Sequence, residues 1–189
     1  MRPDVPTDPR VDALIARAQA GDEAAFDGLY VRFRQIVFRF LYYRVGDTAG
    51  ADDLTSDVFM RVARALPGYR RQRASFQAWL LQIARNLAID HYRRNRSRPQ
   101  SPLDEGLVAA GDELDHVADQ RLTHERLRAA LGDITEEQRE VVVLRFVAGC
   151  STSEVAAIVG KSETAVKALQ RRGLEKLRAR LEESQVSYD

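Results

Sequence analysis

The chain of 189 residues lacks features that several protein classes require. Its one cysteine, Cys150, cannot form an internal disulfide, and no apolar run approaches the 18 residues that predict a transmembrane helix. Residues 1–10 contain proline and aspartate but no apolar segment of the kind found in secretion signals. We therefore expect a cytoplasmic protein without membrane insertion. Only 11 glycines and 6 prolines interrupt the chain, which favours an all-helical fold.

The formal net charge of +1 conceals an uneven distribution of charge along the chain. Residues 1–100 carry 17 arginines and 11 acidic residues, whereas residues 101–140 carry 4 arginines and 11 acidic residues. Residues 141–189 carry 8 basic and 6 acidic residues, so two basic segments flank an acidic one. Within residues 61–98, ten arginines accompany a single acidic residue, Asp90. This local excess predicts a polyanionic partner such as nucleic acid.

Apolar residues at helical spacing predict three long helices in the first half of the chain. The first helix follows a cap at Asp22 and ends near Gly46. The second helix ends at Pro67, and the third begins after Ser75. Long amphipathic helices with short connections are typical of a small helical bundle.

The helical period disappears between about residues 96 and 118, where prolines, glycines and acidic residues gather. This composition predicts a flexible acidic linker, which serves either as a tether or as a segment that occupies a basic channel in a partner. Beyond the linker, capping boxes that start at Thr135 and Ser151 help to predict four short helices. The predicted organisation is a disordered start at 1–10, a first helical domain at 11–96, a linker at 97–118, a second helical domain at 119–183 and a tail at 184–189.

The second domain contains a spacing typical of a DNA-binding helix-turn-helix. Gly160, Val166 and Leu169 stand 4, 10 and 13 residues after Ala156. They supply a turn residue that tolerates positive φ and apolar residues for the inner face. An ordinary helical hairpin with a solvated basic face would show a similar pattern, whereas a DNA-binding motif would place its outward face in a major groove. The outward residues are Ser162, Glu163, Thr164, Lys167, Ala168, Arg171 and Arg172.

The third predicted helix ends in a basic cluster. A solvated surface that complements the helix dipole explains one or two arginines at a helix C-terminus, but the wider cluster favours phosphate binding. Phe76, beside the basic loop, either packs in the core or stacks on an unpaired base. The residues of this candidate nucleic-acid surface are Arg70, Arg71, Arg73, Phe76, Asn86, Asp90, Arg93 and Arg94.

Acidic residues cluster at the start of the second predicted helix. Aspartates there interact favourably with the helix dipole and need no further role. Phe59, however, lies about 100° around the helix axis from Val58, so the two side chains do not face one core. An exposed Phe59 would suit contact with a basic partner helix, whereas a buried one would serve packing. The candidate protein-binding residues are Asp52, Asp53, Leu54, Asp57, Val58 and Phe59.

Four runs of sequence carry a family resemblance. The runs ADDLTSDVF at 51–59 and FQAWLLQIARNLAIDHYRR at 76–94 resemble region 2 of bacterial sigma factors, specifically the extracytoplasmic-function (ECF) group. The runs ITEEQREVVVLRF at 134–146 and VAAIVGKSETAVK at 155–167 resemble region 4. The resemblance covers about residues 22–181, in the order and with the short linker that are typical of this group.

The resemblance implies an initiation factor that binds core RNA polymerase and confers promoter specificity, without enzymatic activity, cofactor or metal. The candidate protein-binding residues would dock on the clamp helices of the beta-prime subunit. The loop at 70–74 and the helix at 86–94 would recognise and melt the minus-10 element, and residues 162–172 would read the minus-35 element. Further implied partners are the beta-subunit flap and an anti-sigma factor. The acidic linker would thread through the polymerase cleft.

The chain departs from the family pattern in two places. The run TAVKALQ at 164–170 stands where GTVKSRL is common, so the usual Ser-Arg pair is Ala168-Leu169. Ser56 stands where glutamine is frequent. The first departure bears on the individual minus-35 contacts, and the second bears on the clamp-binding helix.

Two other functions are considered. A DNA-binding regulator that acts without polymerase would have no use for an exposed acidic and aromatic patch at residues 52–59. A metal-dependent hydrolase would need Asp52, Asp53 and Asp57 to act with His91, His116 or His124. It is disfavoured because adjacent aspartates on a helix point about 100° apart, and because no two histidines stand four residues apart.

Overall fold

The computed structural model of the protein describes residues 8–70, 74–95 and 127–186, although not the side chains of residues 95 and 183–186. All regular structure within these ranges is helical, as the sequence predicts. Two short turns accompany the helices, a 3₁₀ turn at Leu66–Gly68 and a π-helical turn at Val143–Val147. The helices are α1 (Pro9–Gln19), α2 (Glu23–Val45), α3 (Thr48–Ala65), α4 (Phe76–Asn95), α5 (residues 127–132), α6 (Glu136–Val142), α7 (Thr152–Val159) and α8 (Glu163–Val186).

Capping residues set the boundaries of α2 and α3. The Asp22 carboxylate accepts a hydrogen bond from the backbone N–H of Ala25 at 3.1 Å and begins α2. Gly46 ends α2 with a φ of 92°, a left-handed conformation that is unfavourable for residues with a Cβ atom. Asp47 then accepts from the backbone N–H of Gly50 at 2.6 Å and begins α3. The predicted break between these helices is confirmed.

The apolar periodicity does not predict helix α1. Only Val11 and Ile15 are buried on this helix, and two apolar positions make a weak pattern. The helix is held in place partly by the Gln19 side chain, which donates to two backbone carbonyls of the turn after α3. Part of the stretch predicted to be disordered is therefore helical from Pro9, and residues 1–7 lie outside the described residues.

Helices α1–α4 form the first domain, in which α3 packs against both α2 and α4. Burial of large apolar side chains, worth roughly 1.5–3 kcal/mol each, is the main stabilising contribution. Because α3 has a neighbour on two sides, its buried residues form a wide stripe at 51, 54, 55, 58, 59 and 62. The fully buried residues at the centre are Val37, Phe40 and Leu41 from α2, Val58 and Val62 from α3, and Leu80 and Leu81 from α4.

Helices α5–α8 form the second domain, and both predicted capping boxes are present. The Thr135 hydroxyl accepts from the backbone N–H of Gln138, whose side chain accepts from the backbone N–H of Thr135. Ser151 and Glu154 form the same reciprocal pair at the start of α7. These bonds satisfy backbone donors that a helix N-terminus leaves unpaired.

The two domains contact each other directly. Helix α4 packs against α7, and α2 packs against the π-helical turn that follows α6. The buried apolar residues of both domains form one continuous cluster. The predicted linker at 97–118 lies outside the described residues, and the sequence pattern carries no prediction of these direct contacts. In the part of the chain that the structure covers, no helix is long and apolar enough to cross a membrane.

Candidate nucleic-acid and protein interfaces

Helices α7 and α8 form the predicted helix-turn-helix. Gly160 ends α7 with a φ of 70°, and its backbone N–H donates to the Ala156 carbonyl at 3.0 Å. The Ser162 hydroxyl accepts from the backbone N–H of Ala165 at 3.2 Å and so caps α8. Val166 and Leu169 are buried, as the motif requires. The spacing therefore predicts both the turn and the inner face of α8 correctly.

The turn between α7 and α8 is anchored to α6. The Lys161 ammonium lies 2.8 Å from a Glu137 carboxylate oxygen. This hydrogen bond and the positive charge of Lys161 lower the pKa of Glu137. The pair is exposed to solvent, so its contribution to stability is small. Its position nevertheless ties the turn to the helix on which α8 packs.

The outward face of α8 is open to solvent. Six of the seven predicted residues on this face are exposed, and Ala168 is half-buried beside them. The Arg172 guanidinium donates to the Ala168 carbonyl at 3.3 Å, and the contact between Arg171 and Glu175 is long at 3.6 Å. Weak exposed contacts of this kind are easily exchanged for contacts with phosphates or bases. We name this surface the α8 face: Ser162, Glu163, Thr164, Lys167, Ala168, Arg171 and Arg172.

The polar stripe of α4 is also exposed. Asn86, Asp90, Arg93 and Arg94 point to solvent on the last turns of the helix, where the arginines complement the helix dipole. Tyr92 stands among them with 66% of its surface exposed. Sequence reasoning misses Tyr92, because the exposure of an aromatic ring on a helix depends on which helices pack against it. We name Asn86, Asp90, Tyr92, Arg93 and Arg94 the α4 face.

The loop between α3 and α4 is described only in part. Arg70 is exposed, and its guanidinium donates to the backbone carbonyl of Tyr69 at 3.1 Å. Arg71 and Arg73 lie outside the described residues.

Phe76 lies in an aromatic cluster and not on the α4 face. It is buried, and its ring centroid lies 5.3 Å from that of Phe33 and 5.4 Å from those of Tyr69 and Trp79. Burial in such a cluster serves packing. The assignment of Phe76 to a nucleic-acid contact is therefore corrected to a role in the core, which is one of the two roles that its pattern allows.

Helix α3 corrects a second prediction. Phe59 is 5% exposed and packs edge-on against Tyr30, with ring centroids 4.8 Å apart. Leu54 and Val58 are buried as well. The expectation of an exposed Phe59 is wrong because α3 packs against both α2 and α4, so its buried arc is wide enough to include positions 100° apart. All three apolar residues support the helix from inside.

The first turns of α3 expose acidic residues, followed by the apolar Met60, whereas Arg61 and Arg64 are exposed nearer the end of the helix. Asp52, Asp53 and Ser56 are exposed, Asp57 is half-buried, and Met60 is 52% exposed. Asp52 and Met60 stand on one side of the helix, since they are separated by eight residues. Arg34 of α2 approaches the Asp52 carboxylate only to 3.5 Å. We name Asp52, Asp53, Ser56, Asp57 and Met60 the α3 face; sequence reasoning misses Met60.

An apolar groove of about 410 Å³ lies on the second domain. Phe146 of the π-helical turn is 56% exposed beside it, and Leu174 and Leu181 of α8 are 37% exposed. Exposed apolar residues that cluster in a groove indicate a contact surface. The groove is lined by Leu127, Val142, Phe146, Leu174, Leu177, Arg178, Leu181 and Glu182.

Cys150 and the acidic residues show no reactive centre in the described ranges. Cys150 is 1% exposed, and burial, together with the nearby Glu154 carboxylate, raises the pKa of its thiol to about 12. The thiolate that oxidants and metals attack is therefore scarce at neutral pH. Among the described residues, no group of three His, Cys, Asp or Glu side chains is placed to hold a metal ion. His116 and His124 lie outside those residues.

Models of known families match both domains of the chain. The model of sigma-70 region 2 matches residues 29–98, and the model of sigma-70 region 4 matches residues 130–179. The α3 and α4 faces fall in the first match and the α8 face in the second. These two regions define the class of protein: the chain is a member of the sigma-70 family.

Curated relatives show which group within this family the chain belongs to. The chain is 40% identical over 172 residues to the ECF RNA polymerase sigma factor BldN of Streptomyces coelicolor, over 89% of this chain and 64% of BldN. It is 36% identical to SigX of Bacillus subtilis over 85% of each chain, and 36% identical to SigD of Mycobacterium tuberculosis over 89% of this chain and 82% of SigD. The chain thus belongs to the ECF RNA polymerase sigma factors, which are initiation factors and not enzymes.

Solved structures share the fold. CnrH, solved in complex with the cytosolic domain of CnrY, superimposes with a TM-score of 0.71 at 28% identity, over 92% of this chain and 97% of that chain. The sigma factor RpoE from Bartonella quintana, solved in complex with the anti-sigma factor NepR, gives a TM-score of 0.68 at 22% identity, over 83% of this chain and 96% of that chain. The second likeness concerns the fold alone.

Proposed function

We propose that the chain binds core RNA polymerase and directs promoter-specific initiation, with its first domain on the minus-10 element and its second on the minus-35 element. The observation that carries the proposal is the presence, in one chain, of two exposed DNA-suited faces on α4 and α8 and a third, acidic face on α3. Only the first two have a charge that suits DNA, so the third needs a protein partner.

The α8 face suits duplex DNA. Lys167, Arg171 and Arg172 would neutralise phosphates, and an arginine can also bond guanine through two hydrogen bonds. Glu163 at the start of the helix can accept from a cytosine amino group, and half-buried Ala168 offers a methyl group to thymine. Leu169 is buried against the core and makes no base contact in this arrangement. The position where arginine is common in the family therefore serves packing in this chain.

The α4 face suits unpaired bases and their phosphates. Arg93 and Arg94 would hold the backbone of the non-template strand, together with Arg70 and with Arg71 and Arg73 of the same loop. Asn86 and Asp90 can hydrogen-bond to base edges that strand separation exposes. Tyr92 offers an aromatic surface on which a base stacks, an interaction worth about 1–3 kcal/mol.

The α3 face suits a basic helical partner, for which we propose the clamp helices of the beta-prime subunit. Asp52, Asp53 and Asp57 would give charge complementarity, and Met60 would supply the exposed apolar contact that the sequence analysis expects of Phe59. Leu54, Val58 and Phe59 would act indirectly, since they fix the position of the helix from inside the core.

The apolar groove on the second domain suits an amphipathic partner helix. We propose the beta-subunit flap as its occupant, which would hold this domain on the polymerase. The acidic linker at 97–118 would run through the polymerase cleft, and an anti-sigma factor would occupy these surfaces when the protein is inactive. CnrH, which shares the fold of this chain at 28% identity, is itself solved in complex with the cytosolic domain of CnrY. We further propose the cytoplasm as the location, since polymerase acts there.

Reconstituted transcription tests the proposed function. The purified chain should associate with core polymerase and support run-off transcription from a promoter found by mapping transcript starts after the chain is expressed. A chain that binds promoter duplexes tightly without polymerase, and that leaves core polymerase inactive at every mapped start, would instead favour the regulator that acts alone.

A further inference from the structure

We propose that the two domains of the free chain are latched together by one carboxylate, that of Glu140, which is shared between two arginines of the first domain. We name this arrangement the closed form. We further infer that the closed form must open before the chain can engage both promoter elements, a step that rests on the proposed function.

The latch consists of three charged side chains from three helices. Glu140 of α6 accepts from Arg44 of α2 at 2.8 Å and from Arg85 of α4 at 2.7 Å, both at Oε1. Its second oxygen, Oε2, accepts from the other arm of Arg85 at 3.3 Å. Arg44 also contacts Glu136 of α6 at 2.7 Å. Two cations from the first domain therefore converge on one acidic helix of the second.

The burial of these charges makes the contact specific to the closed form. The Arg44 and Glu140 side chains are each 8% exposed, whereas most ion pairs in the described ranges lie at the surface. A buried charge is tolerated only when it is paired and hydrogen-bonded. If the domains slide or rotate without fully separating, Arg44 is left without its carboxylate in a region from which water is excluded. The latch thus favours either the one relative orientation of the two domains that keeps Arg44 paired or complete separation of the domains.

Further hydrogen bonds extend the contact between the two domains, which we name the seam. The Gln77 side chain of α4 donates to the Ala148 carbonyl at 2.6 Å, and Ser75 at the start of α4 hydrogen-bonds to Glu154 of α7. Arg128 of α5 donates to the Gly46 carbonyl at 2.5 Å. Cys150 lies at this seam, since it follows the Ala148 carbonyl by two residues and its thiol is buried. The only cysteine of the chain is therefore a natural reporter of whether the domains are together.

The closed form is too short for the proposed promoter contacts. Elements centred near positions minus-10 and minus-35 lie about 25 base pairs apart, about 85 Å along duplex DNA. Helix α4 packs on α7 and α7 packs on α8, so α4 and α8 are separated at these contacts by two interhelical spacings, about 20 Å. The 31 residues between the first and second described domains can extend to about 100 Å at most. The chain can reach both elements, but only after the seam has parted.

The latch is tested on the full chain without polymerase or DNA, by the rate at which N-ethylmaleimide labels Cys150 and by the radius of gyration from X-ray scattering. Arg85→Gln removes a latch cation from the first domain, whereas the reporter lies in the second. We expect labelling about tenfold or more faster than in the wild type, and a larger radius of gyration. Glu140→Gln should act in the same direction.

Matched controls remove charges of the same kind that pair within one domain. Arg17→Gln breaks a contact with Asp22 inside the first domain, and Glu137→Gln breaks the contact with Lys161 inside the second. Both should keep the wild-type labelling rate and radius. Thermal unfolding followed by circular dichroism identifies any variant that does not fold. If one latch variant does not fold, the other latch variant provides the test.

A rise in either readout for a folded latch variant, without a rise in the controls, supports the closed form. The proposal is overturned if Arg85→Gln and Glu140→Gln match the wild type in both readouts, if the controls respond equally, or if wild-type Cys150 already labels at the rate of the denatured chain. Failure here leaves the proposed function intact. A chain that closes as expected but directs no transcription contradicts only the proposed function.

Discussion

The α3 face and the α8 face are both exposed helical surfaces, but the helices that carry them are buried to different extents. The buried residues of α3 fall at 51, 54, 55, 58, 59 and 62, a wide stripe that faces two neighbouring helices. The buried residues of α8 among the apolar positions fall at 166, 169 and 177, a narrow stripe. The opposite side of α3 is exposed and divides into the acidic α3 face and, nearer the end of the helix, the basic residues Arg61 and Arg64. A narrow stripe leaves a broad face, which suits the major groove of DNA.

The largest expected effect comes from truncating the wide stripe of α3. Phe59→Ala removes a buried ring that packs on Tyr30, and should lower the free energy of unfolding by about 3–5 kcal/mol. Urea denaturation followed by circular dichroism measures this change. On the α8 face, Arg171→Ala should change stability by less than about 0.5 kcal/mol. If Phe59→Ala kept the wild-type stability and weakened polymerase binding, Phe59 would act as an exposed contact residue, contrary to its burial in the structure.

Charge reversal on the α3 face should give the next largest effect. Asp53→Arg places a cation where the proposed partner is basic, so we expect affinity for core polymerase to fall by about tenfold to hundredfold, without unfolding. Competition binding with labelled wild-type chain measures the affinity. Asp27→Arg, an equivalent change at an exposed position of α2, is the control. Equal losses for the two variants would show a general effect of charge and argue against this docking site.

Removal of the exposed ring on the α4 face should act on promoter melting. Tyr92→Ala removes a stacking surface worth about 1–3 kcal/mol, so open-complex formation should fall by about tenfold, while core binding is retained. Permanganate reactivity of unpaired thymines measures the melted strands. Tyr92→Phe keeps the ring and should behave as the wild type. Loss of melting in Tyr92→Phe as well would point to the hydroxyl and exclude stacking as the cause.

The smallest expected effect is a change in salt dependence on the α8 face. Lys167→Ala should weaken minus-35 binding uniformly across sequences and lower the slope of log affinity against log salt by about one. Fluorescence anisotropy of the holoenzyme with labelled duplexes at several salt concentrations measures this slope. Lys176→Ala is the matched control, because nine residues place Lys176 on the opposite side of the same helix. A slope lowered equally by both variants would mean that the two sides of α8 do not differ.

The difference between α3 and α8 also shows which features of the molecule can be predicted from the sequence. Gly160, Val166 and Leu169 follow from local rules, since a left-handed turn and a one-sided stripe depend on neighbours within a few residues. Phe59 and Phe76 depend on which helices pack from the other side, and periodicity within one helix carries no such information. Met60 and Tyr92 are missed for the same reason, because an apolar residue is exposed only when the fold leaves it uncovered.

Glu140 shows the limit most clearly. In the sequence it is one of 11 acidic residues within residues 101–140. Its two arginine partners lie 96 and 55 residues away. Which charge is buried between domains depends on how the domains dock, a property of the whole surface of each.

The sequence by itself determined most of the helices, several of their caps, the helix-turn-helix and membership of the sigma factors, because these depend on local spacing and on motifs of residue type. Only the tertiary structure decided which side of α3 is exposed, that Phe76 belongs to the core, that an apolar groove opens beside Phe146, and that Glu140 joins the two domains. These features arise from contacts between residues far apart in the chain, where burial and charge pairing are settled together.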